Sequence, residues 1–577
     1  LSIASFAEIS EAVHALGSKI FVQLTAGFGR VGFHGMGGPP VSASAVPFYL
    51  DPSITCRALE TKEVDELVES FGPAAEIMKA AGVDGVELHG HEGYLFDQFT
   101  TAIWNRRKDK YGGDLQGRLT FPIDILNVIK AHAGKDFAVQ YRVGIKHYMK
   151  ALNSGALPGE TFKEAGRDIE EGLEMARLLE QAGFDSLHVD AGCYDSWYWA
   201  HPPTYQEHGC MVDMAELTKK VVKIPVIAVG RIDIPELAEK VVAEGKADMV
   251  AIGRGLLADA YWPAKAAAGK AEDIRPCIGC HDGCIWRFSQ GRPLSCAVNP
   301  SCGREKEYAL TPTSRPQKIV VAGGGVAGME AARAAAARGH KVVVYEKSNV
   351  SGGHLNEASV PAFKHDIARL MEWYKTQLKE LGVVVKLGTL VTKALLAKEK
   401  PDTVILATGS QSAIPKIPGV ENAVTCEDVL LGKKKTGKSV IVLGGGLVGC
   451  ETALWLALKK KDVTIIEMLP ELMSAGISVP RMNRYMLRDM LALNKIKITI
   501  GARAVEISKN GVVVSIGGKK KSIKADTVVL AVGLKPENSL ASQLNGSYQK
   551  VFTIGDCREP RNIMGAIWDG YEVGRSV

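Results

Sequence analysis

The stretch Lys318–Lys347, KIVVAGGGVAGMEAARAAAARGHKVVVYEK, predicts a strand, a tight glycine turn, a helix and a second strand in succession. Gly323, Gly325 and Gly328 form a Gly-x-Gly-x-x-Gly turn, which lets the backbone approach a pyrophosphate at the start of the helix. Glu346 ends the second strand, where an acid accepts hydrogen bonds from the ribose hydroxyls. This stretch therefore predicts a Rossmann-like dinucleotide-binding domain.

The same pattern returns at Ser439–Met468, SVIVLGGGLVGCETALWLALKKKDVTIIEM, with Gly444, Gly446 and Gly449 in the turn and Glu467 as the acid. One such turn is weak evidence, whereas two turns with an acid at equal spacing indicate two dinucleotide sites.

Three further segments resemble the sheet ends and the flavin-contacting Asp of flavoprotein reductases with two dinucleotides: TVILATGS (Thr403–Ser410), TVVLAVGLKP (Thr527–Pro536) and TIGDCREP (Thr553–Pro560). By that resemblance the first repeat binds FAD, with Asp556 beside it. The second repeat is inserted into the first and binds NADH.

Four cysteines precede these repeats with the spacing C-x2-C-x3-C-x11-C: Cys277, Cys280, Cys284 and Cys296. A four-iron four-sulfur cluster needs four such thiolates. The same residues also fit a zinc site, a covalent haem on Cys277-Ile-Gly-Cys280-His281, or buried thiols. Haem attachment does not account for Cys284 and Cys296, and both flanking regions have redox-cofactor patterns, so the cluster is the favoured hypothesis.

The first half alternates short apolar runs with helical stretches, which predicts a parallel sheet covered on both faces. Six runs are visible: Lys19–Leu24, Gly82–His89, Phe137–Gly144, Asp185–Gly192, Ile224–Arg231 and Asp248–Gly255. Six strands do not close a (β/α)8 barrel, and the sequence does not start with Met, so we expect two strands to be missing from its front. The predicted fold class is α/β, with a TIM barrel followed by an iron–sulfur loop and two Rossmann-like domains.

Polar residues cluster at the carboxyl ends of these runs, where such barrels carry their chemistry. They are Gln23, His89, Arg142, Gly230, Arg231, Gly253 and Arg254. The last two glycine-containing ends lie where barrels commonly hold a phosphate. Together these residues outline a flavin mononucleotide (FMN) site.

Several motifs resemble the old yellow enzyme family: KIFVQLTAGFGR, VELHGHEGYLFDQF, NRRKDKYGGDLQGR, AVGRI and AIGRGLLAD. With CIGCHDGC, CAVNP and the second half, essentially the whole chain resembles the long branch of that family. This branch contains 2,4-dienoyl-CoA reductase, 2-enoate reductase, trimethylamine dehydrogenase and bile-acid steroid oxidoreductases. The resemblance implies that Gln23 and Arg142 hold the isoalloxazine, and that Gly230, Arg231, Gly253 and Arg254 hold the phosphate.

In HGHEGY the resemblance implies that His89 is the pocket histidine and Tyr94 the proton donor. Glu92 replaces the His or Asn usual in old yellow enzymes and matches the Glu-Gly-Tyr-Leu of the dienoyl-CoA reductases. Tyr194 roughly aligns with a second acid of that branch, which is a His there. It belongs to an aromatic segment with His201 that we expect at the catalytic rim. The alternatives are that Glu92 is an ordinary loop carboxylate and Tyr94 a packing aromatic.

The resemblance implies that electrons pass from NADH to FAD, the cluster and FMN, and then to the C=C bond of an enoate, an enoyl- or dienoyl-CoA or a 3-oxo-4-ene steroid. One alternative is oxidation of an amine or saturated steroid, with electrons leaving through a partner flavoprotein. Another is a redox sensor or scaffold without turnover. The predicted domains are residues 1–268 for FMN, 269–315 for the cluster, 316–420 with 525–577 for FAD, and 421–524 for NADH.

The composition of the chain limits the classes of molecule that it is expected to bind. A net charge of +6 over 577 residues, with short scattered lysine runs, does not favour nucleic acid. No apolar run reaches the roughly 18 residues of a membrane span, and no signal peptide is recognised. Eleven cysteines in a long chain suit a reducing compartment, so we expect a cytoplasmic protein. We expect a small-molecule unsaturated substrate and leave a homo-oligomer open.

Overall fold

The computed structural model describes residues 3–32, 40–544, 548 and 550–577. The chain forms two compact units. The first extends to Ile252 apart from Pro203–Tyr205, and the second combines Pro203–Tyr205 with Gly253–Val577.

The first unit is built on a six-stranded parallel sheet whose strands are neighbours in chain order. They are Phe21–Leu24, Gly85–Gly90, Ala138–Gly144, Ser186–Asp190, Val226–Ala228 and Met249–Val250. Five of them lie within a predicted run, and Gly85–Gly90 extends one residue beyond the run Gly82–His89. The main covering helices are Thr61–Glu69, Phe71–Ala80, Leu115–Ala133, Ile169–Ala182, Val212–Lys219 and Pro235–Ala243. The predicted alternation of strand and helix is confirmed.

The strands carry apolar residues that are buried between the helices and the sheet interior, as a parallel sheet covered on both faces requires. Val86, Leu88, Val139, Val143 and Leu187 are all fully buried. Burying one such side chain contributes about 1.5–3 kcal/mol, so this core fixes the register that brings the strand ends to one edge.

The second unit contains two five-stranded parallel sheets, one for each glycine turn. The first consists of Val384–Lys386, Lys341–Tyr345, Lys318–Ala322, Thr403–Leu406 and Val551–Thr553. The second consists of Val424–Thr425, Thr527–Leu530, Ser439–Leu443, Asp462–Ile466 and Lys497–Thr499. The predicted Rossmann-like repeats are confirmed.

Two segments belong to a different domain from the one predicted for them. Thr527–Leu530 pairs with Ser439–Leu443 and so belongs to the second sheet, although residues 525–577 were assigned to the FAD domain. Residues 253–268, assigned to the barrel, cluster with the second unit. The remaining limits stay predictions.

The longer helices of the second unit cover its sheets. They are Val326–Ala337, His365–Glu380, Leu447–Leu458, Arg481–Leu493 and Ile563–Ser576. An antiparallel sheet is formed between the last two strands of the second nucleotide sheet in chain order, by Ala502–Ser508, Gly511–Ile516 and Lys519–Lys524. Among the described residues, no helix is both long and apolar enough to span a bilayer.

Candidate active site and cofactor sites

The predicted catalytic segment of the first unit follows the strand Gly85–Gly90. His89 lies in this strand, and Tyr94 directly precedes the helix Leu95–Thr100. Glu92 has a φ of 71°, a left-handed backbone conformation that is uncommon for a glutamate. Such a conformation costs energy and persists only where neighbouring groups hold it.

Two buried side chains of the following helix hold this turn. Asp97 accepts a hydrogen bond from the Gly93 N–H at 2.9 Å, and Gln98 donates to the Gly93 carbonyl at 2.6 Å. The Tyr194 N–H donates to the Glu92 carbonyl at 3.1 Å. These hydrogen bonds to the backbone of Glu92 and Gly93 thus fix the positions of Glu92 and Tyr94.

Asp97 is itself the centre of a buried ionic group. Its carboxylate lies 3.0 Å from Arg167 and 3.2 Å from His147, and all three side chains are fully buried. Burial raises the pKa of Asp97, but the charges of His147 and Arg167 outweigh it and hold the pKa at about 2. Because these residues are distant in the chain, no local motif pointed to them.

Replacing Asp97 is therefore expected to destabilise the barrel. Asp97→Ala leaves the Arg167 charge buried and unpaired, which costs about 3–5 kcal/mol of the free energy of unfolding. Since the pKa of Asp97 falls from 3.8 to about 2 on folding, its contribution is present above about pH 4 and lost as the pH falls toward 2. Thermal unfolding at neutral pH measures the loss.

The matched control is Asp124→Ala. The Asp124 side chain is 32% exposed and lies 3.4 Å from Lys110, and exposed pairs contribute about 0–1 kcal/mol. Equal unfolding midpoints for the two variants would mean that the Asp97 group does not support the turn.

The two predicted acids Tyr94 and Tyr194 are brought together. Their hydroxyl oxygens are 3.1 Å apart, and their ring centroids are 5.6 Å apart. Burial and the Glu92 carboxylate raise the pKa of Tyr94 well above its ordinary value. Tyr94 therefore stays protonated until a strong base forms beside it.

Glu92 is enclosed by imidazoles. Its Oε1 contacts His201 Nε2, and its Oε2 lies 3.7 Å from His89 Nε2 and 3.9 Å from His91 Nε2. Burial raises the pKa of Glu92, but His201, His89 and Arg142 outweigh it and hold the pKa at about 2. Glu92 is a buried anion, and its catalytic role stays a prediction.

His89 has the character of a neutral donor. Its ring stacks on His91 with centroids 4.6 Å apart, and burial lowers its pKa below the ordinary value. His89 Nδ1 is buried and has no hydrogen-bond partner among the residues described. An unsatisfied polar atom of this kind is costly unless a ligand completes it, so His89 fits the predicted carbonyl contact.

The two predicted isoalloxazine contacts are each oriented by an acid that the sequence analysis missed. Gln23 donates to Glu87 at 2.6 Å, and Arg142 donates to Asp190 at 2.6 Å. Burial raises the pKa of Glu87, but the hydrogen bond from His188 and other partners hold it at about 2. The Arg142 side chain remains 23% exposed, so part of its guanidinium fits a further acceptor such as a flavin.

The predicted phosphate residues of the first unit form a left-handed turn, with φ of 118° at Gly230 and 53° at Arg231. Arg231 donates to the Gln206 carbonyl and lies 3.3 Å from His208 Nε2. In the second unit, a Cβ added to Gly253 would meet no atom within 4 Å. The backbone at Gly253 is therefore open to a phosphate, whereas a Cβ at Gly230 would lie 3.0 Å from Met211, so the phosphate contact of Gly230 stays a prediction.

In the second unit the two glycine turns share one geometry. Gly323 has a φ of 113°, and a Cβ there would overlap the Ala407 carbonyl. Gly444 has a φ of 105°, and a Cβ there would overlap the Ala531 carbonyl. Only glycine fits this close approach of two strand ends. Gly328 and Gly449 are similarly confined, and Gly325 and Gly446 precede the helices.

The two predicted ribose acids are also held alike. Glu346 Oε2 accepts the Gly324 N–H at 2.8 Å, and Glu467 Oε2 accepts the Gly445 N–H at 2.5 Å. The second oxygen of Glu467 accepts the Leu469 N–H at 2.8 Å. Each carboxylate is fixed beside its glycine turn, where it fits a nucleotide ribose.

Both turns face one cavity of about 1570 Å³. Gly325, Gly446, Glu467 and Asp556 line it. Asp556 accepts a hydrogen bond from Ser410 Oγ at 3.0 Å. The cavity therefore has room and polar groups for the reactive ends of two dinucleotides.

A buried ion pair that the sequence analysis missed lines the same cavity. Glu451, on the helix after the second glycine turn, contacts Lys364 Nζ at 2.5 Å and accepts the Tyr205 hydroxyl at 2.9 Å. The three side chains come from separate parts of the chain. The pair joins the segment before His365–Glu380 to the helix Leu447–Leu458.

The four predicted metal ligands line one small pocket: Cys277, Cys280, Cys284 and Cys296. Burial and the nearby Asp282 and thiols raise the pKa of Cys280 well above its ordinary value. Among the described residues, no three of these sulfurs lie within 4.8 Å of one another. The four thiols share one pocket, which fits the predicted cluster, and the identity of the metal stays a prediction.

His281, the histidine of the haem-type motif, is fully engaged by protein. Nδ1 lies 2.7 Å from Asn483 Oδ1, and Nε2 lies 2.7 Å from Arg254 Nη1. An axial ligand needs a free ring nitrogen, so this arrangement does not fit haem. Burial raises the pKa of the Cys284 thiol, and the positive charge of Arg254 opposes that shift.

Two family models match the chain. The NADH:flavin oxidoreductase / NADH oxidase family matches residues 2–273, and pyridine nucleotide-disulphide oxidoreductase matches residues 317–570.

The chain is also similar to whole proteins. It is 46% identical to the cinnamate reductase of Clostridium sporogenes, over 99% of this chain and 86% of that protein. It is 41% identical to the NADH oxidase of Thermoanaerobacter brockii, over 100% and 87%. It is 30% identical to the N,N-dimethylglycine/sarcosine dehydrogenase of Chromohalobacter salexigens, over 80% and 67%. The solved complex of 2-naphthoyl-CoA reductase with 2-naphthoyl-CoA has a TM-score of 0.91 at 31% identity, covering 100% of this chain and 87% of that chain.

Proposed function

The chain belongs to the NADH:flavin oxidoreductase / NADH oxidase family, and from that premise we propose how its residues reduce an activated C=C bond with NADH. The protein is a flavin-dependent NADH oxidoreductase, with FMN in the barrel and FAD and NADH in the second unit. When bound, NADH would supply a hydride to FAD, a four-iron four-sulfur cluster would carry single electrons from FAD to FMN, and FMN would supply the hydride to the substrate.

The proposed substrate is an aryl-substituted α,β-unsaturated acid or thioester. Flat aromatic side chains surround the acids: Phe28 packs edge-on against Tyr94 at 5.1 Å, and Trp197 stacks on Tyr194 at 4.6 Å. Such walls favour a planar apolar group. Cinnamate and 2-naphthoyl-CoA, after which two relatives are named, are both aryl compounds.

In the proposed reaction, one residue polarises the substrate carbonyl and another protonates the α-carbon. His89, neutral and with an unpartnered Nδ1, would donate to the substrate carbonyl and stabilise the enolate that forms on hydride arrival. Tyr94 would then protonate the α-carbon, and Tyr194 lies within reach to return a proton to Tyr94. The single observation that carries this proposal is one cluster at the carboxyl ends of two strands of the sheet, in which the buried His89 and Glu92 lie beside the half-buried Tyr94 and Tyr194.

Anaerobic reoxidation tests this proposal. Enzyme reduced with NADH should be reoxidised by cinnamate or an aryl acryloyl-CoA faster than by crotonyl-CoA or a 3-oxo-4-ene steroid, measured by flavin absorbance. Faster reoxidation by the steroid would contradict the aryl assignment.

The coenzyme should be NADH rather than NADPH. The fixed Glu467 carboxylate can accept from a ribose 2′-hydroxyl but repels a 2′-phosphate, and the next residue, Met468, offers no positive charge. Such a clash costs several kcal/mol, so kcat/KM should favour NADH by about a hundredfold or more. Equal kcat/KM values for the two coenzymes would refute this role of Glu467.

A second candidate is oxidation of an amine with outward electron flow, which the similarity to the sarcosine dehydrogenase favours. It predicts that sarcosine or dimethylamine bleaches the flavin and that NADH does not. The intact second glycine turn and Glu467 support the opposite outcome.

A further inference from the structure

Arg254, which the resemblance assigns to a flavin phosphate, has a side chain that lies beside the predicted cluster ligands. The residue lines the pocket of the four cysteines, and its guanidinium contacts His281 Nε2 at 2.7 Å. Its side chain is half-buried beside the four cysteine sulfurs, and no ion pair with a carboxylate joins it in the described part of the chain. Its placement calls for a negative charge in the pocket.

The direction of each hydrogen bond around His281 follows from the donors present. A guanidinium can only donate, so His281 Nε2 accepts from Arg254 and carries no proton. Nδ1 then carries the proton and donates to Asn483 Oδ1 at 2.7 Å. The Asn483 amide NH2 in turn donates to the Gly279 carbonyl at 3.1 Å, which fixes the orientation of the amide.

His281 is also held by its backbone. Its φ is 63°, and only 1% of the residue is exposed. Asn483 is 5% exposed and lies on the helix Arg481–Leu493, within residues 421–524 that are predicted to bind NADH. The imidazole of His281, the amide of Asn483 and the Gly279 carbonyl thus form a buried hydrogen-bonded series that orients the Arg254 guanidinium. Because these groups are part of the folded protein, they hold the guanidinium in one orientation.

We infer that Asn483 and His281 are positioning residues that hold the Arg254 guanidinium at the cysteine pocket, where its charge compensates the anionic iron–sulfur cluster and raises its reduction potential. This inference rests on the proposed cluster. Four thiolates give the cluster a net negative charge, and net charge and hydrogen bonding set its potential. A fixed cation near the cluster lowers the free energy of adding an electron, because it attracts the additional negative charge.

The test is a redox titration of the cluster followed by electron paramagnetic resonance, on the full chain. Arg254→Gln should keep its iron, but its ratio of reduced to oxidised cluster at the parental midpoint should be roughly tenfold lower, a shift of about 59 mV for one electron. Arg254→Lys should recover part of the shift. Asn483→Leu should shift the potential in the same direction, because it releases His281 and with it the guanidinium.

Arg292→Gln is the matched control, since it removes the same charge from an exposed residue of the same cysteine segment. Its potential should stay parental. An unchanged potential in Arg254→Gln with full iron content would overturn the inference, and an unchanged potential in Asn483→Leu would overturn the positioning role. Absence of iron from the parent protein would instead contradict the proposed function, so the two failures are distinguishable.

Discussion

The Tyr94→Phe variant is expected to reduce substrate about 10²- to 10⁴-fold more slowly than the parent enzyme, because a positioned general acid contributes about that factor. The phenol is held near Tyr194 and beside the Glu92 anion, which keep its proton in place until the enolate forms. Stopped-flow reoxidation of the NADH-reduced enzyme by substrate measures the step. Reduction of the flavins by NADH should remain parental, since that electron path does not use the phenol.

Two comparison variants make the result specific. Tyr148→Phe removes a hydroxyl from a ring that stacks on Trp199 at 3.7 Å, and it should leave reoxidation unchanged. Tyr194→Phe should slow turnover less than Tyr94→Phe, because it removes only the proton supply. If Tyr94→Phe reoxidises at the parental rate, Tyr94 is a packing residue, and the acid must be sought at Glu92, Tyr194, His201 or a water.

The Cys284→Ala variant is expected to lose its iron and, with it, all reduction of FMN by NADH. A four-iron four-sulfur cluster needs four thiolates, and Cys284 is one of the four that line the pocket. Reduction of FAD by NADH should persist, because the glycine turns and their acids lie outside this pocket. Iron analysis and flavin spectra under anaerobic conditions measure both effects.

Cys302→Ala is the matched control, because Cys302 is a buried thiol of the same segment outside the pocket of four. It should retain about four irons per chain, as should the parent. One zinc per chain in the parent, or full FMN reduction in Cys284→Ala, would contradict the cluster.

The parts of the fold that could be predicted are those with local signals. The six barrel strands and the two glycine turns depend on residues close together in the chain, and the structure contains them where they were expected. The turn at Gly323 is recognisable because only glycine permits its backbone approach to Ala407. The same holds for Gly444 and Ala531.

The parts that could not be predicted depend on pairs distant in sequence. Asp97 with Arg167, and Glu451 with Lys364, meet only after the helices and strands have packed. Buried charges must find partners, but periodicity does not say which. The contact between Arg254 and His281 is a further case, because the motif of Arg254 indicates a phosphate but not this partner.

The stoichiometry of anaerobic turnover tests the central claim most directly. Enzyme supplied with limiting NADH and excess cinnamate or its CoA thioester should yield one saturated product per NADH oxidised, measured by chromatography. Oxidation of NADH with no loss of the C=C bond in any offered aryl substrate, or formation of product only when an amine replaces NADH, would contradict it.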